Sequence, residues 1–102
     1  MRYADSRAYV VPESLDGLAG PASGVVELPT HLDWSEQRVY DLDDPAQAGL
    51  MYERVIRESS SPRDLAAYLN AELLVSLWDR LHLPVRVRRK WESAFPALAR
   101  TT

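Results

Sequence analysis

The sequence predicts a mainly α domain of three to four short helices with a short N-terminal β element. Three observations carry this. Apolar residues recur at helical spacing from about residue 45 to residue 95. Asp44-Pro45 and Ser61-Pro62 are helix starts, since a short polar side chain can hold free amides and proline is tolerated at the first helical position. Before residue 45, Gly24-Val25-Val26-Glu27-Leu28-Pro29 sets β-branched residues between a glycine and a proline that both stop regular structure. The 102 residues form one domain, 1–102, with the apolar fraction of an ordinary globular chain. Residues 1–40 make an irregular or β arm and 41–98 a helical core.

In order along the chain, Tyr3, Tyr9, Val10 and Val11 form a short strand or an anchored arm. Pro12 to Leu15 begin one helical turn that Gly17 or Gly20 ends, and Gly20-Pro21 marks a turn. The strand at 24–28 cannot satisfy its own backbone, so it needs the N-terminal segment, another protomer or a partner chain. A helix follows from about Pro45 to Glu58, with Ala48, Tyr52, Val55 and Ile56 on one face; Gly49 weakens it. Ser59-Ser60-Ser61 breaks it. Ser61 then caps the next helix, and Asp64 stands three residues on, as in a capping box. Leu65, Leu69, Leu73, Leu77 and Leu81 recur every fourth residue, widened by Leu74 and Trp78. Asn70-Ala71 marks a bend or a second cap, leaving one helix or two. Leu83-Pro84 ends this region, because the residue before proline avoids helical angles. A last helix starts near Pro84, buries Val87, Trp91 and Phe95, and stops before Pro96.

Composition excludes several function classes. With no cysteine, disulfides and Cys-ligated zinc are out, and a cytoplasmic setting is expected. No stretch approaches the roughly 20 apolar residues of a membrane span, and the N-terminus lacks the apolar region of a secretory signal. No cofactor is expected, since four glycines at these spacings make no phosphate-binding loop.

Charge is split along the chain. Residues 1–50 hold three arginines against nine carboxylates, whereas residues 51–102 hold nine basic groups against six acidic ones. The basic half contains the run Arg86, Arg88, Arg89 and Lys90 beside Trp91. A cationic helix face can neutralise phosphates and an aromatic can stack on bases, so this run is the candidate nucleic-acid surface. A net charge of -3 argues against it. A solvated outer face, opposite Val87 and Trp91, is the ordinary explanation. The acidic half contains Asp33, Glu36, Asp41, Asp43 and Asp44. Asp41-x-Asp43-Asp44 lacks the further ligands and the glycine of a calcium loop, so no metal is expected. Helix-start chemistry accounts for Asp43 and Asp44. These carboxylates can alternatively occupy a partner's phosphate-binding site.

No catalytic residues are expected. His31 and His82 have no activated serine context, and His82, within Leu81-His82-Leu83, reads as a structural group bonding a carbonyl. An enzyme would require a deep pocket joining one of them to carboxylates. Most aromatics read as core, but Trp34 sits in the acidic irregular segment and reads as an interface anchor.

The run Gly24 to Pro29, then Leu32-Asp33-Trp34, Tyr40-Asp41-Leu42, Asp44-Pro45, Met51-Tyr52, Tyr68-Leu69-Asn70-Ala71, Leu77-Trp78, Leu83-Pro84, Arg88, Trp91-Glu92 and Phe95-Pro96 resembles a family of short actinobacterial proteins. These are encoded beside nucleotidyltransferase-like toxins and are labelled regulators or antitoxins. The resemblance implies a non-enzymatic antitoxin that neutralises such a toxin by direct complex formation. The expected partner contacts are Val25, Val26 and Leu28 through strand addition, Trp34 as anchor, and Asp33, Glu36, Asp41 and Asp43 against a basic cleft. Self-association into a homodimer is a second outcome for so small a core. The alternative is a helix-turn-helix-like DNA-binding transcriptional regulator using Arg86, Arg88, Arg89 and Lys90.

Overall fold

The computed structural model describes residues 10–33 and 38–99. Tyr3, Tyr9, Trp34 and Glu36 of the sequence expectations lie outside them. The described chain is mostly helical, with a short antiparallel sheet that gives it an α+β character.

The sheet corrects one expectation. Strand β1, Val25–Glu27, finds its mate inside the chain, in β2, Val39–Asp41. The register pairs Val25 with Asp41, Val26 with Tyr40 and Glu27 with Val39. Gly24 turns the chain into β1 at φ 83°, a left-handed conformation that costs a side-chain-bearing residue. Residue 41 therefore belongs to the sheet, and the helical part starts at Pro45.

Helix α1 runs Pro45–Glu58, the span the sequence predicts. Asp44 holds its first turn, an Oδ1 atom accepting the Ala46 amide at 3.0 Å. Ala48, Met51, Tyr52, Val55 and Ile56 form its buried stripe. Helix α2 spans Pro62–Tyr68 and α3 spans Ala71–Leu77. The leucine series is thus cut in two. Asn70 makes the cut: it is extended, and its side-chain oxygen accepts the Leu73 amide at 3.1 Å as the cap of α3. Leu65, Leu69, Leu77 and Leu81 are buried, as are Leu74 and Trp78, while Leu73 is half-buried. Ser61 makes no side-chain cap, and Asp64 bonds His31 rather than completing a capping box.

A 3-10 turn at Trp78–Arg80 leads to α4, Val85–Ala94, and a second 3-10 turn closes at Pro96–Ala99. Val87 and Trp91 face inward, and Leu98 folds back onto the core. Trp78 and Trp91 lie with ring centroids 6.0 Å apart, and Trp91 and Phe95 6.1 Å apart. Aromatic side chains of this size each remove roughly 150–250 Å² from water, so they supply much of a small core.

The N-terminal segment forms hydrogen-bonded turns at 14–18 rather than a helix. It then docks onto the α2–α3 corner. Ala19 donates to the Ala66 carbonyl at 3.1 Å, Gly20 to Leu69 at 2.8 Å, and Ala71 back to Leu18 at 3.3 Å. The Asn70 side-chain amide reaches the Gly20 carbonyl at 3.3 Å. Beneath this clasp the Asn70 amide donates to the buried Tyr52 hydroxyl at 2.9 Å. Gly20 is required here by close approach: an added Cβ would lie 2.7 Å from the Tyr68 carbonyl carbon and 2.8 Å from the Ala67 oxygen.

Candidate protein-binding surface

In an antiparallel pair, residues alternate between hydrogen-bonded and non-bonded positions and between the two faces of the sheet. The ladder is closed by Leu28 donating to Arg38 and Leu42 donating to Gly24, both at 2.8 Å. Val26 and Tyr40 therefore point to the core. Val25 and Val39 point out, 70% and 47% exposed, with Glu27 and Asp41 between them on the same face. Two exposed valines thus stand beside carboxylates on one face of the sheet.

The expected partner contacts divide on this frame. Val25 stands fully at the surface, and Val26 is half-buried against the core. Leu28 is 1% exposed, so its side chain is a core group and not a contact. Asp33 is a second correction, because its carboxylate is fully buried. Its Oδ2 accepts the Tyr40 hydroxyl and lies 3.9 Å from the Arg54 Nε. A buried carboxylate persists only when paired and hydrogen-bonded, so Asp33 holds the loop to β2 and α1. Burial pushes the Tyr40 hydroxyl pKa up, helped by the hydrogen bond to Asp33 and its charge and opposed by Arg54.

Asp41 and Asp43 stay at the surface but also shape the turn into α1. The Asp41 carboxylate accepts the Asp43 amide at 2.9 Å, and Asp43 Oδ1 accepts the Gly24 amide at 3.4 Å. Glu27 forms an exposed 3.8 Å ion pair with Arg38. Val39 was missed as a surface residue. Its only signal is the two-residue alternation of Arg38-Val39-Tyr40-Asp41.

The basic run also divides. Arg86, Arg89 and Lys90 lie on the exposed face of α4. Arg88 turns inward, a correction to its assignment as a nucleic-acid contact. Its Nη2 donates to the Leu81 carbonyl and, at 3.2 Å, to the Trp78 carbonyl. The guanidinium carbon stands 4.9 Å from the Trp78 ring centre, a cation–π geometry. Its Nη1 is 3.7 Å from the Glu92 carboxylate, which accepts the Trp78 indole N–H at 2.9 Å. Arg88 thus ties the 3-10 turn to α4.

The histidines are apart. His31 Nε2 is 3.1 Å from Asp64. The His82 side chain is exposed, and the bond made there is from its backbone amide to the buried Glu53 carboxylate at 2.7 Å, rather than from its ring to a carbonyl. Among the described residues no cluster of three histidines or carboxylates could hold a metal. No described helix is long and apolar enough to cross a membrane.

No family model, characterised protein or solved structure matches this chain. The outer face of the β1–β2 sheet is the candidate surface. That surface consists of Val25, Val39, Glu27, Asp41 and Asp43, an apolar pair inside an acidic border. It can desolvate against an apolar patch while its carboxylates steer and register a basic rim.

Proposed function

We propose that this chain is a non-enzymatic, cytoplasmic antitoxin that neutralises a nucleotidyltransferase-like toxin by direct complex formation. The exposed Val25 and Val39 on the acidic face of the β1–β2 sheet carry the proposal. A basic cleft suits a toxin that handles nucleotides or RNA, and a carboxylate-bordered apolar face is the electrostatic complement of such a cleft. The resemblance to short proteins encoded beside such toxins is what suggests this class of partner. Co-expression with the neighbouring gene should give one complex on size exclusion. Substituting Val25→Asp and Val39→Asp together should weaken neutralisation while leaving the melting temperature within a few degrees. Separate elution of the two proteins would sink the proposal.

A second reading is favoured by the exposure of Arg86, Arg89 and Lys90 on α4. A DNA-binding regulator using this face would show gel-shift affinity that falls steeply with salt and is lost on substituting these three residues. Binding that is absent or insensitive to salt rules it out.

A further inference from the structure

The ladder of the two-stranded sheet fixes where its free backbone lies. Gly24, Val26 and Leu28 are the hydrogen-bonded positions of the β1 side, since Gly24 pairs with Leu42 and Leu28 with Arg38. The N–H and C=O groups of Val25 and Glu27 therefore point away from β2. The matching groups on β2 are treated differently. The outward amide of Asp41 donates to the Gln47 side-chain oxygen at 2.9 Å, so α1 closes that edge. Among the described residues the sheet ends at β1. Val25 is 70% exposed, and the Glu27 side chain 66%. Among the described residues, the β2 edge is thus bonded to α1 at Asp41, while the β1 edge, which carries the exposed valine, has no further strand.

We propose that the outer edge of β1 accepts an extended segment of the partner as a third strand, and that this segment carries an apolar and a basic residue two positions apart, on one face of the strand. The proposal rests on the protein-binding reading and deepens it. Backbone bonds to Val25 and Glu27 supply the docking geometry, as in strand addition generally. Side chains of the incoming strand then fall beside Val25 and Glu27 on the exposed face. An apolar residue fits the first and a lysine or arginine the second. The Glu27–Arg38 pair is exposed, and such pairs hold weakly, so a partner's cation can replace Arg38. Charge selects against a second copy of this chain. Pairing β1 with β1 would bring the two Glu27 carboxylates toward each other, and like charges across neighbouring strands repel.

The test is a titration of the isotope-labelled full chain with two blocked threonine-rich hexapeptides, one carrying valine and lysine two positions apart, the other valine and glutamate at the same positions. The basic peptide should shift the Val25 and Glu27 amides first and slow their hydrogen exchange. The acidic peptide should do neither. Glu27→Pro removes the outward N–H while leaving the amides of Val26 and Leu28 in the ladder, and should weaken the basic peptide about tenfold. Glu27→Gln should weaken it severalfold, and only at low salt. A fully N-methylated basic peptide should produce no shifts on the unaltered chain, which keeps the test decisive if Glu27→Pro fails to fold. Absent binding, equal binding of both peptides, or shifts centred on α4 would each overturn strand addition. No toxin enters this experiment. Loss of the toxin complex with peptide binding intact would remove the antitoxin reading alone, and the reverse result would remove the third strand alone.

Discussion

Gly20→Ala should be among the most damaging single-methyl additions to this chain. The new Cβ would meet the Tyr68 carbonyl carbon at 2.7 Å, the Ala67 oxygen at 2.8 Å and the Leu69 nitrogen at 2.9 Å. All three are backbone atoms at the end of α2, so no side chain can swing aside. The N-terminal segment must lift by several tenths of an ångström instead. That movement stretches the bond from Gly20 to Leu69 and the bond from Asn70 to Gly20. Overpacking costs about 1–3 kcal/mol, and each weakened bond about 1 kcal/mol. A loss of about 3 kcal/mol is expected, which for a domain this size lowers the melting temperature on the order of 15 °C. Urea unfolding followed by tryptophan fluorescence measures it. Gly49→Ala is the control, since only a Leu81 methyl at 4.0 Å faces it. Within α1 that change should stabilise by about 0.5–1 kcal/mol. If Gly20→Ala lowered stability by less than about 0.5 kcal/mol, the typical scatter of surface changes, the close approach would be refuted.

Arg88→Met should cost about 2 kcal/mol, through an uncapped Leu81 carbonyl, one lost bond to the Trp78 carbonyl, which keeps the Leu81 amide, and a lost cation–π contact. Arg89→Met should stay within about 0.5 kcal/mol; equal urea midpoints for the two would contradict the inward placement of Arg88. Alkaline pH should unfold the protein early. Burial raises the Tyr52 hydroxyl to about 12 from its ordinary 10, against the opposing bond from the Asn70 amide. The folded state therefore holds that proton more tightly, so stability is whole below about pH 10 and is lost toward pH 12, by up to about 3 kcal/mol. Tyr40 shifts in the same direction. Denaturation across this range should show a flatter pH dependence for Tyr52→Phe, and an unchanged slope would refute the assignment.

Helix α1 was legible in full because local signals agree: Asp44 and Pro45 open it, and its apolar stripe keeps one period throughout. Periodicity misled at Leu65 to Leu81, where the stripe continues across a break. Asn70 decides the matter through its cap and its bonds to Tyr52 and Gly20, the latter fifty residues away. Strand β2 left too short a trace, three residues inside an acidic tract. Asp33 shows the limit most clearly. A carboxylate in an irregular acidic segment reads as solvated, and only Tyr40 and Arg54, brought by separate elements, make its burial affordable. For the same reason the pattern places Arg88 only as a flank of the solvated face that holds Arg89, although Arg88 is a tie between elements and Arg89 a surface group.

The clasp at Ala19-Gly20 and Asn70-Ala71 has a consequence in time. Its bonds join segments fifty residues apart, so they cannot form until the α2–α3 corner exists. On the ribosome, the first third of the chain must wait for residues beyond 71 to emerge before it can dock. The β1–β2 sheet has no such wait: its strands are joined by a short stretch and can pair before the clasp closes, so the proposed β1 edge is formed while the N-terminal segment is still undocked.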